Sequence, residues 1–233
     1  MIEVELPVQI WSDIACPWCY VGKRHLESAL SEFEHRDAVR IQWRAFELDP
    51  AAPAVYPGDY TERLAKKYNV SAEDANAMIE RMTETARGVG LEFRFDHIAA
   101  GNTFDAHRLL HLASEVGLQD AVKERFLRGY MTEGKAIGDH GALTSMAVEA
   151  GLSADDVASV LASDTHADAV RDDAAQAKAL GIRGVPFFIV GRYGISGAQP
   201  PAVLKQVLEK AWAETVEAPQ MLAEGTACGP DGC

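Results

Sequence analysis

The chain has 233 residues, 48% of them apolar and 24% charged, with a formal net charge of −13. That length can bury a substantial core, as one large domain or one domain carrying an insertion. The acidity argues against a nucleic-acid surface, and no apolar run approaches the roughly 20 residues that span a bilayer. Met1-Ile2-Glu3-Val4-Glu5 is acidic where a signal peptide would be basic, so a cytoplasmic protein is expected.

The alternation Val8-Gln9-Ile10-Trp11-Ser12 predicts a strand near 6–13, followed by a helix near 17–35 with Leu26, Leu30 and Phe33 on one face. Val39, Ile41, Trp43 and Ala45 alternate with Arg40, Gln42 and Arg44, which predicts a second strand over 39–47. From Pro57 to Leu180 the spacing is helical almost throughout. Ser71 with Asp74 resembles a capping box, opening a helix that Gly88 and Gly90 close. Asn102 or Thr103 caps the next, which carries Phe104, Leu109 and Leu110 to Gly117. Further helices fit 118–133, 140–150, 153–163 and 165–180, while Leu91–Phe95 reads as extended or irregular. Val185–Val190 is a buried-strand run, Gly191-Arg192 a turn, Tyr193–Gly197 a short strand, and 201–216 a final helix. The order is β-α-β, a helical block, then β-β-α. This predicts an α/β domain, residues 1–50 and 181–216, interrupted by a helical insertion over 51–180 and followed by a tail over 217–233.

Four cysteines fall in two tight pairs, 16/19 and 228/233. Cytosolic thiols are held reduced, so redox or metal chemistry fits these pairs better than structural stapling. Cys16-Pro17-Trp18-Cys19 stands where the first strand gives way to the first helix. Unpaired N–H groups and the positive helix end there would stabilise a thiolate, the form that attacks disulfides. Pro17 suits the first helical position. Cys16 is therefore the expected nucleophile and Cys19 the expected resolving thiol. Trp18 would present an apolar contact to a client or pack beneath the insertion.

A strand, C-P-W-C, a helix, a helical insert and a later Val-Pro before a hairpin resemble the thioredoxin fold of DsbA-type oxidoreductases. The run Ser12–Lys23, the run Asn102-Thr103-Phe104-Asp105-Ala106-His107-Arg108-Leu109 and Gly184-Val185-Pro186-Phe187-Phe188 are similar to the FrnE branch. Together they span roughly residues 8–215 in the expected order. The resemblance implies a thioredoxin fold with a large helical insertion between its two halves. It also implies a cis Val185–Pro186 bond facing the C-x-x-C helix, with Val185 and Pro186 binding substrate. Related 2-hydroxychromene-2-carboxylate isomerases and kappa-class glutathione transferases carry serine where Cys16 stands, so redox chemistry is favoured over glutathione-assisted isomerisation.

His107 could relay a proton to or from Cys19, although packing is the stronger reading. Asp13 could perturb Cys16 or simply end the strand. In the tail, Gly229-Pro230-Asp231-Gly232 fits a type I turn that would bring Cys228 and Cys233 toward disulfide separation. The linker from Val216 could span about 40 Å at ~3.3 Å per residue, against a radius of gyration near ~17 Å for the whole chain. A second redox pair exchanging with Cys16/Cys19, an inert terminus and a four-thiol zinc site all stay open. The expected activity is thiol–disulfide exchange or isomerisation on disulfide-containing or partly folded proteins. No tightly bound cofactor or metal is expected, and glutathione or another thiol would donate electrons. The alternatives are a glutathione-dependent isomerase or transferase on a small aromatic metabolite, and a non-enzymatic client-binding chaperone.

Overall fold

In the computed structural model, which describes residues 4–217, strand β1 (Leu6–Ser12) and strand β2 (Val39–Ala45) run parallel. Helix α1 (Pro17–Ser31) connects them. Strands β3 (Phe187–Val190) and β4 (Tyr193–Ser196) form an antiparallel hairpin, and β3 lies antiparallel to β1 on the side away from β2. The sheet order is therefore β2-β1-β3-β4. Both sheet-forming halves meet in one sheet, as the β-α-β and β-β-α pattern predicts.

Seven helices lie between the halves: α2 (Tyr60–Tyr68), α3 (Ala72–Gly88), α4 (Phe104–Glu115), α5 (Gln119–Met131), α6 (His140–Glu149), α7 (Ala154–Leu161) and α8 (Ala167–Ala179). Helix α9 (Pro201–Glu217) closes the described chain. The first helix is shorter than its 17–35 expectation, because the chain leaves helical geometry after Ser31 and a short 3-10 turn, Arg36–Ala38, leads into β2. Leu91–Arg94 carries no regular structure and Phe95–His97 forms a 3-10 turn. Ser71 caps α3 by accepting from the Asp74 N–H at 3.0 Å and donating to the Asp74 carboxylate at 2.7 Å. Among the described residues no helix is long and apolar enough to cross a membrane.

Alternation in β1 sends Leu6, Val8 and Ile10 to one face of the sheet. There they meet Leu26 and Ala29 of α1, Phe33 just after it, and Leu204, Leu208 and Ala211 of α9. Trp11 faces the other way, onto Ala177 of α8 and Ile182. A second, larger core fills the helical block and takes in Ile14, Tyr20 and Val21. The α1 helix thus belongs to both cores, and the C-x-x-C turn sits at their junction.

The insertion also finishes the sheet. Gln119 accepts from the Trp43 N–H at 2.9 Å and donates to the Trp43 carbonyl at 3.0 Å. Asp173 accepts from the Ala45 N–H at 2.8 Å. Side chains from α5 and α8 so occupy the outer edge of β2, where a bare strand would offer unpaired groups.

Candidate active site

Cys16 occupies the N-cap of α1 in extended geometry, with Pro17 at the first helical position. The turn is held by the Cys16 N–H donating to the Asp13 carbonyl at 3.3 Å and the Cys19 N–H to the Cys16 carbonyl at 3.1 Å. Both cysteines are free thiols and both are buried. Trp18 between them is 47% exposed, so the dipeptide projects an indole beside two recessed sulfurs.

The Val185–Pro186 peptide is cis, and the Cys16 thiol donates to the Val185 carbonyl at 3.5 Å. Two segments 169 residues apart therefore meet at the nucleophile. Gly22 makes the approach feasible: a Cβ there would lie 2.9 Å from Pro186 Cγ and 3.3 Å from Phe188 Cζ.

One electrostatic expectation is corrected. The Cys16 side chain makes no capping bond to the α1 N–H groups. Its thiol is pushed well above the ordinary range, first by the hydrogen bond to the Cys19 sulfur and then by burial, with Asp13 adding to the rise. In the dithiol, Cys16 holds its proton, since two adjacent sulfurs in a dry site resist a second charge.

Asp13 does more than end a strand. It is buried, and its carboxylate accepts from the Leu48 N–H at 2.8 Å and the Ala15 N–H at 3.4 Å. Burial would raise its pKa, but His107, the Leu48 N–H and the Thr103 side chain outweigh that and hold it below its usual value. His107 Nε2 lies 3.5 Å from Asp13 Oδ1 without forming a hydrogen bond to it. Burial lowers the His107 pKa despite the carboxylate, so a neutral imidazole faces an ionised Asp13. His107 is thus placed under the active-site turn, beside Asp13.

The rest of the Asn102–Leu109 run is scaffolding. Asn102 accepts from the Phe104 N–H at 2.8 Å and donates to the Ala52 carbonyl at 3.3 Å. Arg108 donates to the Thr165 carbonyl at 2.9 Å and to Asp105 at 2.7 Å, and also to the Val160 and Ser163 carbonyls. Cys228 and Cys233 lie outside the described residues, and with them the second redox pair and the four-thiol zinc site. Among the described residues no group of three or more His, Cys, Asp or Glu side chains stands together as metal ligands would.

Three further groups reach this region without having been singled out in the sequence. Lys123 of α5 is fully buried, and its ammonium has no hydrogen-bond partner among the described residues. Glu47, just after β2, is pushed up to about 7 by burial and by the neighbouring Asp13, Asp105 and Asp49. Tyr60 of α2 is pushed up to about 12, chiefly by burial and slightly by Cys16. Lys123 was detectable: Gln119, Val122, Phe126 and Tyr130 form the buried stripe of α5, and position 123 falls within it.

Residues 7–209 match the DSBA-like thioredoxin domain family. The chain is 30% identical over 207 residues to the uncharacterized protein YwbO of Bacillus subtilis, covering 88% of this chain and 94% of that one. The crystal structure of a probable DsbA oxidoreductase from Streptomyces coelicolor is similar at 46% identity and TM-score 0.88, covering 98% of each chain. The cytosolic disulfide reductase DsbM of Pseudomonas aeruginosa shares the fold at 16% identity and TM-score 0.62, over 90% of this chain and all of that one.

Proposed function

The chain belongs to the DSBA-like thioredoxin domain family, and from that footing we propose that it is a thiol–disulfide oxidoreductase and isomerase acting on protein disulfides in the cytoplasm. The observation that carries this reading is the junction of the free Cys16 thiol with the Val185 carbonyl beside a cis-proline. Exposed Trp18 lies next to it.

In this reading Cys16 gives up its proton and its thiolate attacks one sulfur of a client disulfide. The client S–S bond breaks, a Cys16–client disulfide forms, and the second client sulfur leaves as a thiolate. The client backbone lies along Val185 and Pro186, and Trp18 meets its apolar side chains. Cys19 then loses its proton and attacks Cys16, forming the Cys16–Cys19 disulfide as the client sulfur departs. The client gains two electrons and the enzyme pair loses two. Glutathione or another small thiol restores the dithiol, and a glutathione-poised compartment favours reduction and isomerisation over net oxidation. The resemblance of the sequence to the FrnE branch, with sulfur at position 16 where the related isomerases carry serine, supports the same chemistry.

Insulin reduction and scrambled-ribonuclease refolding test it. Cys16→Ser is expected to abolish both, and Cys19→Ser to trap a mixed disulfide with the client. Full activity in Cys16→Ser would overturn the mechanism. Glutathione-dependent turnover of a small aromatic compound that survives Cys19→Ser would replace it with the isomerase reading.

A further inference from the structure

A cleft of about 440 Å³ opens on the face of the sheet that Trp11 occupies. Phe46, Ala177 and Ile182 line it, and all three belong to the apolar cluster of Trp11. Val185 packs in that same cluster, and its carbonyl accepts the Cys16 thiol at 3.5 Å. The cleft and the nucleophile are therefore separated by a single layer of packed residues. Strand register explains why: Trp11 pairs with Phe187 of β3 and Ser12 with Ala45 of β2. The C-x-x-C turn leaves the sheet between the segment that follows β2 and the segment that precedes β3, and these two segments supply opposite sides of the cleft.

Both sides are fixed in advance. Helix α8 ends where the Gly181 N–H donates to the Lys178 carbonyl at 3.1 Å and the Ile182 N–H to the Ala177 carbonyl at 2.9 Å, with Gly181 at a φ of +71°. Across the cleft, the Leu48 N–H is held by Asp13 at 2.8 Å and the Asn102 N–H holds the Pro53 carbonyl at 2.8 Å. Asp173 ties α8 to the Ala45 N–H at 2.8 Å. A preformed cleft spares its occupant the cost of ordering it. Its volume falls within the range of about 300–1,000 Å³ typical of ligand sites. The floor is apolar, and the more exposed lining carries one acid, Glu47, and two bases, Lys178 and Arg183. With both signs at its mouth the cleft has no strong preference for an ion, and its floor selects an apolar group.

We propose that this cleft is a subsite for the client of the thiol exchange and takes a large apolar side chain two residues from the client cysteine under attack. The proposal rests on the thiol–disulfide reading above and adds a specificity element separate from Trp18 and Pro186. In an extended client held at Val185, side chains two residues from the cysteine share its face, about 7 Å along. Ile182 and Arg183, on one side of the cleft, stand three and two residues before Val185.

The test uses the reduced full chain carrying Cys228→Ser and Cys233→Ser, so that Cys16 and Cys19 alone react. Its substrates are short peptides whose one cysteine carries a thionitrobenzoate disulfide. Cys16 attacks the peptide sulfur, the Cys16–peptide disulfide forms, and thionitrobenzoate leaves as a coloured thiolate. Two residues before or after the cysteine, the peptides carry Phe, Leu, Ser or Gln, all uncharged so that the net charge of −13 plays no part. On one flank, Phe and Leu should speed release at low peptide concentration about tenfold over Ser and Gln. Ala174→Trp, which fills the cleft from an exposed position of α8, should cut that ratio to about twofold or less. Equal rates for all peptides, or a preference that survives in folded Ala174→Trp, would overturn the proposal. If Ala174→Trp does not fold, Trp18→Ala decides: the preference should remain, and its loss would assign it to the indole and sink the cleft. No release from any peptide would remove the thiol-exchange reading itself, whereas equal release leaves that reading standing and removes the cleft alone.

Discussion

Asp173 and Lys123 are both buried charges supplied by the helical insertion, and the fold treats them in opposite ways. The Asp173 carboxylate is saturated. It accepts from the Ala45 N–H at 2.8 Å, pairs with Arg44 at 3.1 Å and lies 3.0 Å from His111 Nε2. The Lys123 ammonium has no hydrogen-bond partner among the described residues. A saturated buried charge binds elements together, and losing one partner strands the others. An unsatisfied one costs stability for as long as it is kept.

The comparison is most directly broken at Asp173. Asp173→Ala should cost about 3–5 kcal/mol in urea unfolding, since it strands Arg44 and the β2 edge in a dry site. The thiol ionisation curve should not move. A loss below about 1 kcal/mol would show that the network is ornamental.

Lys123→Met should act in the opposite sense. A folded-state value near 8 against an ordinary 10.5 means that the folded chain binds fewer protons between those limits. Parent stability therefore rises with pH from about 8 to 10.5, and at neutral pH the buried cation costs about 3 kcal/mol. The Met variant should be more stable by up to that amount at pH 7 and lack the alkaline rise. A variant less stable than its parent would mean that the ammonium has a structural partner after all.

The smallest effect belongs to Glu47, whose folded value near 7 stands above its usual 4.5. The folded chain binds more protons in that window, so stability should fall as pH climbs from about 4.5 to 7. Glu47→Gln should flatten that slope, by a modest amount because the side chain is partly solvated. An unchanged slope would remove Glu47 from the acidic group around Asp13.

Much of this arrangement could be read from residue order alone. The β1–C-x-x-C–α1 sequence, the helical block and the closing hairpin follow from local periodicity and punctuation. A cap at Asn102 or Thr103 was legible because Phe104 begins the helix: Thr103 takes the N-cap position without a side-chain bond, and Asn102, one residue earlier, accepts the Phe104 N–H. What stayed hidden depends on tertiary placement. Position 123 falls on a stripe whose spacing marks it as buried, but a charge there or at Glu47 would ordinarily be shown to water, and only the docking of α5 on α1 and of the post-β2 segment near Asp13 buries them. The Cys16 thiol misled for a related reason. Its position at a helix N-terminus was correct, but the side chain turns to Val185 and Cys19 instead of the helix N–H groups.

Gln119 carries one more consequence. With its amide oxygen on the Trp43 N–H and its amide nitrogen on the Trp43 carbonyl, it presents what the backbone of a fifth strand would present. The helical block is therefore no detachable lid over a self-sufficient sheet. Trimming it away to obtain a minimal thioredoxin core would uncover a sticky margin, and the shortened protein would find its missing strand in another copy of itself.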